Sequence, residues 1–175
     1  VRTLTAVSVP HQVAFATALA SDDDQRRRSS YITTFRQEGV AEAALLADGA
    51  AGLRGLFGAS GLPAEVAAPI DDYVAVLAQP GALTAALNWY RALSLGLSAL
   101  PGPIGVPTLF VWSDGDVAIG RVAAEACAAH ATGPYQFEEL TGVSHWIPEQ
   151  APAVLTGLVL AHLAAFPKAR PSLRT

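Results

Sequence analysis

Gly142-Val143-Ser144-His145-Trp146-Ile147-Pro148-Glu149 most constrains what this chain can fold into, because it sets a histidine in a short loop between an apolar strand and a proline-started helix. A strand that passes into a helix through so short a loop belongs to an alternating architecture. The rest of the last third agrees. Pro107-Thr108-Leu109-Phe110-Val111-Trp112 reads as a strand, Ile119 to Ala131 as a helix, Tyr135 to Leu140 as a strand and Ala151 to Phe166 as a helix. Strand and helix in that alternation predict a βαβα ending on a parallel sheet, and so an α/β fold.

Leu4-Thr5-Ala6-Val7-Ser8-Val9-Pro10 is a further apolar, β-branched run closed by proline, which fits a buried parallel strand. From Val13 to about Leu100 the character changes. Ala and Leu dominate, with punctuation at Gly39, Gly58 to Pro63 and Pro80-Gly81, so several short helices are expected. That block is far longer than an ordinary crossover needs. The expected organisation is a core strand over 1–11, an inserted all-helical lid over 12–100, a C-terminal βαβα over 101–166 and a polar tail over 167–175.

At 175 residues and 51% hydrophobic, the chain has the apolar side chains for one sizeable core. A net charge of −4, carried by 15% charged residues without a basic stripe, argues against a nucleic-acid partner. No run approaches the ~18 apolar residues of a membrane span, so no membrane association is expected. Cys127 is the single cysteine, which rules out an internal disulfide or a cysteine-based metal site and suits a cytoplasmic location. The sequence begins at Val1 and has no methionine, so the expectation is a truncated chain.

Asp116 follows one strand and His145 the next, separated by about one helix plus one strand. In a parallel sheet both loops open on the carboxyl edge, where sites of open α/β folds form. A carboxylate there can fix an imidazole tautomer and stabilise its protonated form, while the other ring nitrogen takes a proton from a hydroxyl or water. Asp114 competes with Asp116 as the acid. Nothing upstream of His145 has the strand, Gly-x-nucleophile-x-Gly turn and helix that such a histidine serves, so the chain reads as the second half of an enzyme.

Val111-Trp112-Ser113-Asp114-Gly115-Asp116 and the His145 motif resemble the acid and histidine motifs of the α/β-hydrolase superfamily, in its epoxide-hydrolase and dehalogenase-like branch. The resemblance covers nearly the whole chain, as the C-terminal half of that fold. Its register favours Asp116 as the acid. Asn88-Trp89-Tyr90-Arg91 resembles a lid segment of soluble epoxide hydrolases whose tyrosine points into the site. Tyr31-Ile32-Thr33-Thr34-Phe35, followed by Gly39-Val40-Ala41-Glu42, resembles the segment bearing the partner tyrosine. The resemblance implies ring opening of a small apolar epoxide by an aspartate absent from this chain, hydrolysis of the alkyl-enzyme ester by water activated at His145, and Tyr31 and Tyr90 acting on the epoxide oxygen. Trp89 and Trp146 would either wall the pocket or pack in the core. No metal or organic cofactor is implied, and the missing N-terminal half of the fold is the implied partner. A haloalkane or haloacid dehalogenase, or an esterase, is the alternative on the same scaffold, and a non-catalytic remnant is the alternative of another class. Ser113 departs from a usual glycine, Glu38 from a proline before Gly39, and Gln12 from a proline after the histidine.

Asp22-Asp23-Asp24-Gln25-Arg26-Arg27-Arg28 reads as a helix start with a solvated face. His130 and His162 read as structural, and His11 either faces the site or packs in a turn. Gly52 to Gly61 lacks the Lys-Ser/Thr of a phosphate loop.

Overall fold

Three strands, β1 (Leu4–Val7), β2 (Thr108–Gly115) and β3 (Tyr135–Ser144), form a parallel sheet in the order β1-β2-β3. The computed structural model describes residues 1–59, 61–62, 69–93 and 101–167. The expected tail beyond residue 167, the end of the expected lid at 94–100 and the turn residues Ser60 and Pro63 lie outside them.

β2 is central and apolar on both faces, as a strand covered on two sides must be. Phe110 and Trp112 point to one face and Leu109 and Val111 to the other, following the two-residue alternation of a strand. Helix α1 (Gln12–Ser21) and helix α7 (Arg121–Ala126) cover the first face. Helix α8 (Ile147–Gln150) and helix α9 (Pro152–Ala165) supply Ile147, Leu155 and Leu158 to the second. Leu140 and Val143 of β3 both pack on that second face although three residues apart, across the irregularity where the register with β2 shifts between Ser113 and Gly115.

The element boundaries differ from the sequence expectation for local reasons. β1 stops before Pro10, since Ser8 turns into the left-handed region at φ 54° and Pro10 has no N–H for a ladder. The expected Ile119–Ala131 helix becomes α7 followed by a 3-10 turn over Cys127–His130. Its start is delayed because the Ala118 and Ile119 N–H groups bond to the Asp116 side chain.

α1 falls inside the 12–100 block expected to form the lid, yet it packs on the sheet. Ala14 and Ala18 lie against Ala123 and Ala124 of α7, and such small side chains let two helix backbones approach closely. His11 caps α1, its Nδ1 accepting from the Val13 N–H at 3.2 Å, and stacks on His130 at 4.5 Å. It therefore serves the turn.

Helix α2 (Asp23–Arg28) is capped by Asp22, whose carboxylate accepts from the Asp24 and Gln25 N–H groups. Helices α3 (Tyr31–Phe35), α4 (Val40–Ala59), α5 (Pro69–Leu77) and α6 (Ala82–Ala92) build a second core around Phe35, Leu53, Phe57, Val74, Leu83 and Leu87. α4 is broken by left-handed backbone at Asp48, Gly49 and Ala50. Among the described residues no helix is long and apolar enough to cross a membrane.

Gly115 sits where β2 and β3 crowd together, and a Cβ there would lie 2.5 Å from the Val143 carbonyl oxygen. Gly115→Ala is expected to lower stability by about 2 kcal/mol through this overpacking. Urea unfolding followed by circular dichroism measures it, and an unchanged midpoint would refute the close approach.

Candidate active site

The carboxyl ends of β2 and β3 carry Asp116 and His145 to the same place. Asp116 is only 1% exposed, and its Oδ1 accepts from the Ala118 N–H at 2.8 Å and the Ile119 N–H at 2.9 Å. His145 Nδ1 lies 3.0 Å from Oδ1 and 2.9 Å from Oδ2 of the same carboxylate. A ring nitrogen facing a carboxylate carries the proton, which leaves Nε2 as the acceptor. Asp114 is engaged elsewhere, its Oδ1 accepting from the Gly142 N–H at 2.7 Å.

The His145 loop is pinned on several sides. Ser113 Oγ donates to the Ser144 carbonyl at 2.8 Å, Gln150 Oε1 accepts from the Ser144 N–H at 2.7 Å, and Ser144 Oγ accepts from the Trp146 N–H at 3.2 Å. The buried Ser113 hydroxyl thus ties the acid strand to the histidine loop.

His145 opens into a cavity of about 440 Å³ that is also lined by Tyr31, Tyr90, Trp89, Ser8 and Ile119. Tyr31 comes from α3 and Tyr90 from α6, and their rings meet edge to face at 5.9 Å. Burial pushes the Tyr31 phenol well above its ordinary value, and the neighbouring Tyr90 and the Asp116 charge push it further in the same direction. Burial raises Tyr90 as well. Arg91, next to Tyr90, pairs with Glu42 Oε1 at 2.8 Å and so fastens α6 to the start of α4. The Arg91 guanidinium holds the Glu42 carboxyl below the usual carboxylate range.

Trp89 lines the cavity at its rim, 60% exposed and edge-on to Tyr90. Trp146 follows the other of its two expected roles, core packing, and does not line the cavity. Its ring packs 5.1 Å from Phe57 of α4 and 5.6 Å from His145, so it joins the helical core to the histidine loop.

Ser8, Gln12 and Phe15 also line the cavity, and sequence reasoning does not single them out as site residues. Ser8 stands at a strand end on the carboxyl edge, and that position is the one signal for it. The charged run predicts a solvated face for Gln25 and Arg28. Gln25 is instead fully buried, and Arg28 donates from Nη1 to the Asp116 carbonyl. The uncharged Gln25 within a charged run is the one hint.

No protein-family model matches the chain. The chain is 33% identical over 162 residues to the AB hydrolase superfamily protein YfhM of Bacillus subtilis, covering 91% of this chain and 56% of that protein. It is 27% identical over 156 residues to epoxide hydrolase 2 of Caenorhabditis elegans, covering 85% of this chain and 43% of that one. The chain thus spans about half the length of the curated relatives it matches. A crystal structure of Bacillus megaterium epoxide hydrolase in complex with an inhibitor superposes with a TM-score of 0.77 at 18% identity, over 94% of this chain and 61% of that one. The chain has the α/β-hydrolase fold, and the curated relatives it resembles in sequence are α/β-hydrolases, epoxide hydrolases among them.

Proposed function

We propose that this chain carries the acid, the histidine and the two phenols of an epoxide-hydrolysing site. The observation that carries this reading is the convergence of a carboxylate-backed imidazole and two neutral phenols on one cavity. The substrate class is a small apolar epoxide, suited to walls such as Ile119, Phe15 and Trp89.

In this reading a carboxylate attacks an epoxide carbon, the carbon–oxygen bond breaks, and the departing oxygen takes a proton from Tyr31 or Tyr90. Water then attacks the ester carbonyl, giving one proton to His145 Nε2 while Asp116 stabilises the imidazolium; the acyl–oxygen bond breaks, the departing diol oxygen takes the proton left on the new carboxyl group, and the imidazolium proton returns to the phenolate. Among the described residues that line the cavity there is no carboxylate. In this reading the nucleophile and the oxyanion-hole N–H groups come from the part of the family fold beyond the 56% of the Bacillus subtilis relative that this chain spans. A phenol must be neutral to donate, and burial of both rings favours that form.

The test uses the full-length protein that contains these residues, given a terminal aryl epoxide with diol formation followed by chromatography. Tyr90→Phe is expected to lower kcat/KM by about 10²-fold, as loss of a general acid does. His145→Gln is expected to block the second step, so that a covalent ester accumulates and is seen by intact mass. Turnover of aryl esters with a serine adduct, and none of epoxides, would move the assignment to an esterase. Halide release from alkyl halides, with epoxides inert, would move it to a dehalogenase. A folded protein inert on all three would leave the non-catalytic remnant.

The phenols give a second expectation that needs no substrate. The folded-state pKa values of Tyr31 and Tyr90 lie above the ordinary value of 10, so these groups favour the folded chain fully below pH 10. That contribution is lost as pH climbs past 10 toward the folded values. Phenolate absorbance in an alkaline titration is expected to show a late-ionising tyrosine that Tyr31→Phe removes. Ionisation of every tyrosine near pH 10 in the folded protein would contradict the burial.

A further inference from the structure

We infer that Gln25 is a positioning residue for the Asp116–His145 pair, holding in place the Ala118–Gly120 loop whose N–H groups grip the carboxylate. The inference rests on the reading of that pair as the acid and base of the site. It adds a residue from α2 that touches neither the cavity nor the imidazole.

Gln25 is fully buried, and its amide capacity is spent around this loop. Its Oε1 accepts from the Gly120 N–H at 2.8 Å, and its Nε2 donates to the Ala118 carbonyl at 2.9 Å and to Ser29 Oγ at 2.9 Å. The loop is thus held on both sides of Ile119. Between those anchor points lies the Ile119 N–H, and directly before them the Ala118 N–H, both of which bond to Asp116 Oδ1. A buried amide is costly unless every partner is present, so the side chain and the loop fix each other.

A second contact acts on the same residue from the other side. Arg28 donates from Nη1 to the Asp116 carbonyl, and its Nε is held by Asp24 Oδ2 at 2.6 Å. Asp24 and Arg28, like Gln25 and Ser29, stand four apart and present one face of α2 to the loop. Gly120 completes the fit, since a Cβ there would come within 3.3 Å of Asp24 Oδ2 and 3.4 Å of Gln25 Oε1. Ser29 and Ser30 lead directly from α2 into Tyr31. One short segment therefore sets the acid and delivers a phenol.

The carboxylate holds His145 in its Nδ1–H tautomer only while its own orientation is fixed. Without Gln25 the loop N–H groups drift, the carboxylate turns, and the imidazole relaxes toward the Nε2–H form that free imidazole favours in water. Long-range proton–nitrogen correlation spectra of the intact protein labelled in histidine, recorded above neutral pH, read this tautomer without any substrate. Loss of the signature and absence of epoxide turnover are therefore separate results.

Gln25→Leu is expected to weaken the downfield Nδ1 proton of His145 and to raise the Nε2–H population to a clear fraction. Arg28→Gln should move the same signals less, and it provides the reading should Gln25→Leu not fold. Leu83→Ala, a truncation in the helical core, should lower the melting temperature and leave the tautomer unchanged. A lower melting temperature with a wild-type His145 signature in the Gln25 and Arg28 variants would overturn the inference and make Gln25 a fold-stabilising residue only. An equal tautomer shift in Leu83→Ala would overturn it too, since the signal would then follow general loosening.

Discussion

Asp116 is a carboxylate taken almost wholly out of water, and burial of such a group is costly unless donors surround it. Two loop N–H groups and the His145 ring provide them. That requirement dictates much of the local path. The backbone after β2 must curl so that the Ala118 and Ile119 N–H groups point inward, and the helix behind it cannot begin until Gly120 and Arg121. Ile119, carried by the same curl, is buried against the sheet while also lining the cavity. The acid, the wall and the start of α7 are consequences of one desolvated charge.

The cavity lies where two separately built cores meet. The sheet with α1, α7, α8 and α9 packs around β2, while α3 to α6 pack around Phe35, Leu53 and Phe57. Their join is concentrated on the histidine loop. Trp146 inserts beside Phe57, and Tyr73 of α5 donates to Glu149 Oε1 at 2.8 Å. The helical layer that brings Tyr31 and Tyr90 is thus referenced to the segment that brings His145. A small shift of that layer would move both phenols relative to the imidazole together, which preserves their mutual geometry.

Periodicity and strand ends are the features that sequence makes legible. The apolar run of β2 and the loop positions of Asp116 and His145 can be read because a parallel sheet gathers its carboxyl edge in one place. Long-range packing stays hidden. α1 reads like the helices after it, being rich in Ala and Leu, and only the contact of Ala14 and Ala18 with α7 assigns it to the sheet. Trp146 belongs to a motif that suggests a pocket wall, yet Phe57, distant in sequence, claims its ring. Gln25 is masked by the charges around it, because the outer face of α2 is indeed solvated through Arg26–Asp23 and Arg27–Asp24 while the inner face docks. A charged run reports the exposed side of a short helix and says nothing of the residue turned inward.

Ser113 shows how one buried hydroxyl can reinforce a site. It sits where the β2–β3 register shifts, the point at which a ladder loses backbone bonds. A glycine there would leave the crossing held by its neighbours alone. The buried hydroxyl of Ser113 instead donates to the Ser144 carbonyl, the residue directly before His145. Ser144 in turn is bound through its N–H by Gln150 of α8 and through its hydroxyl to the Trp146 N–H. The irregularity between β2 and β3 just before the histidine loop is thus closed by side-chain hydrogen bonds.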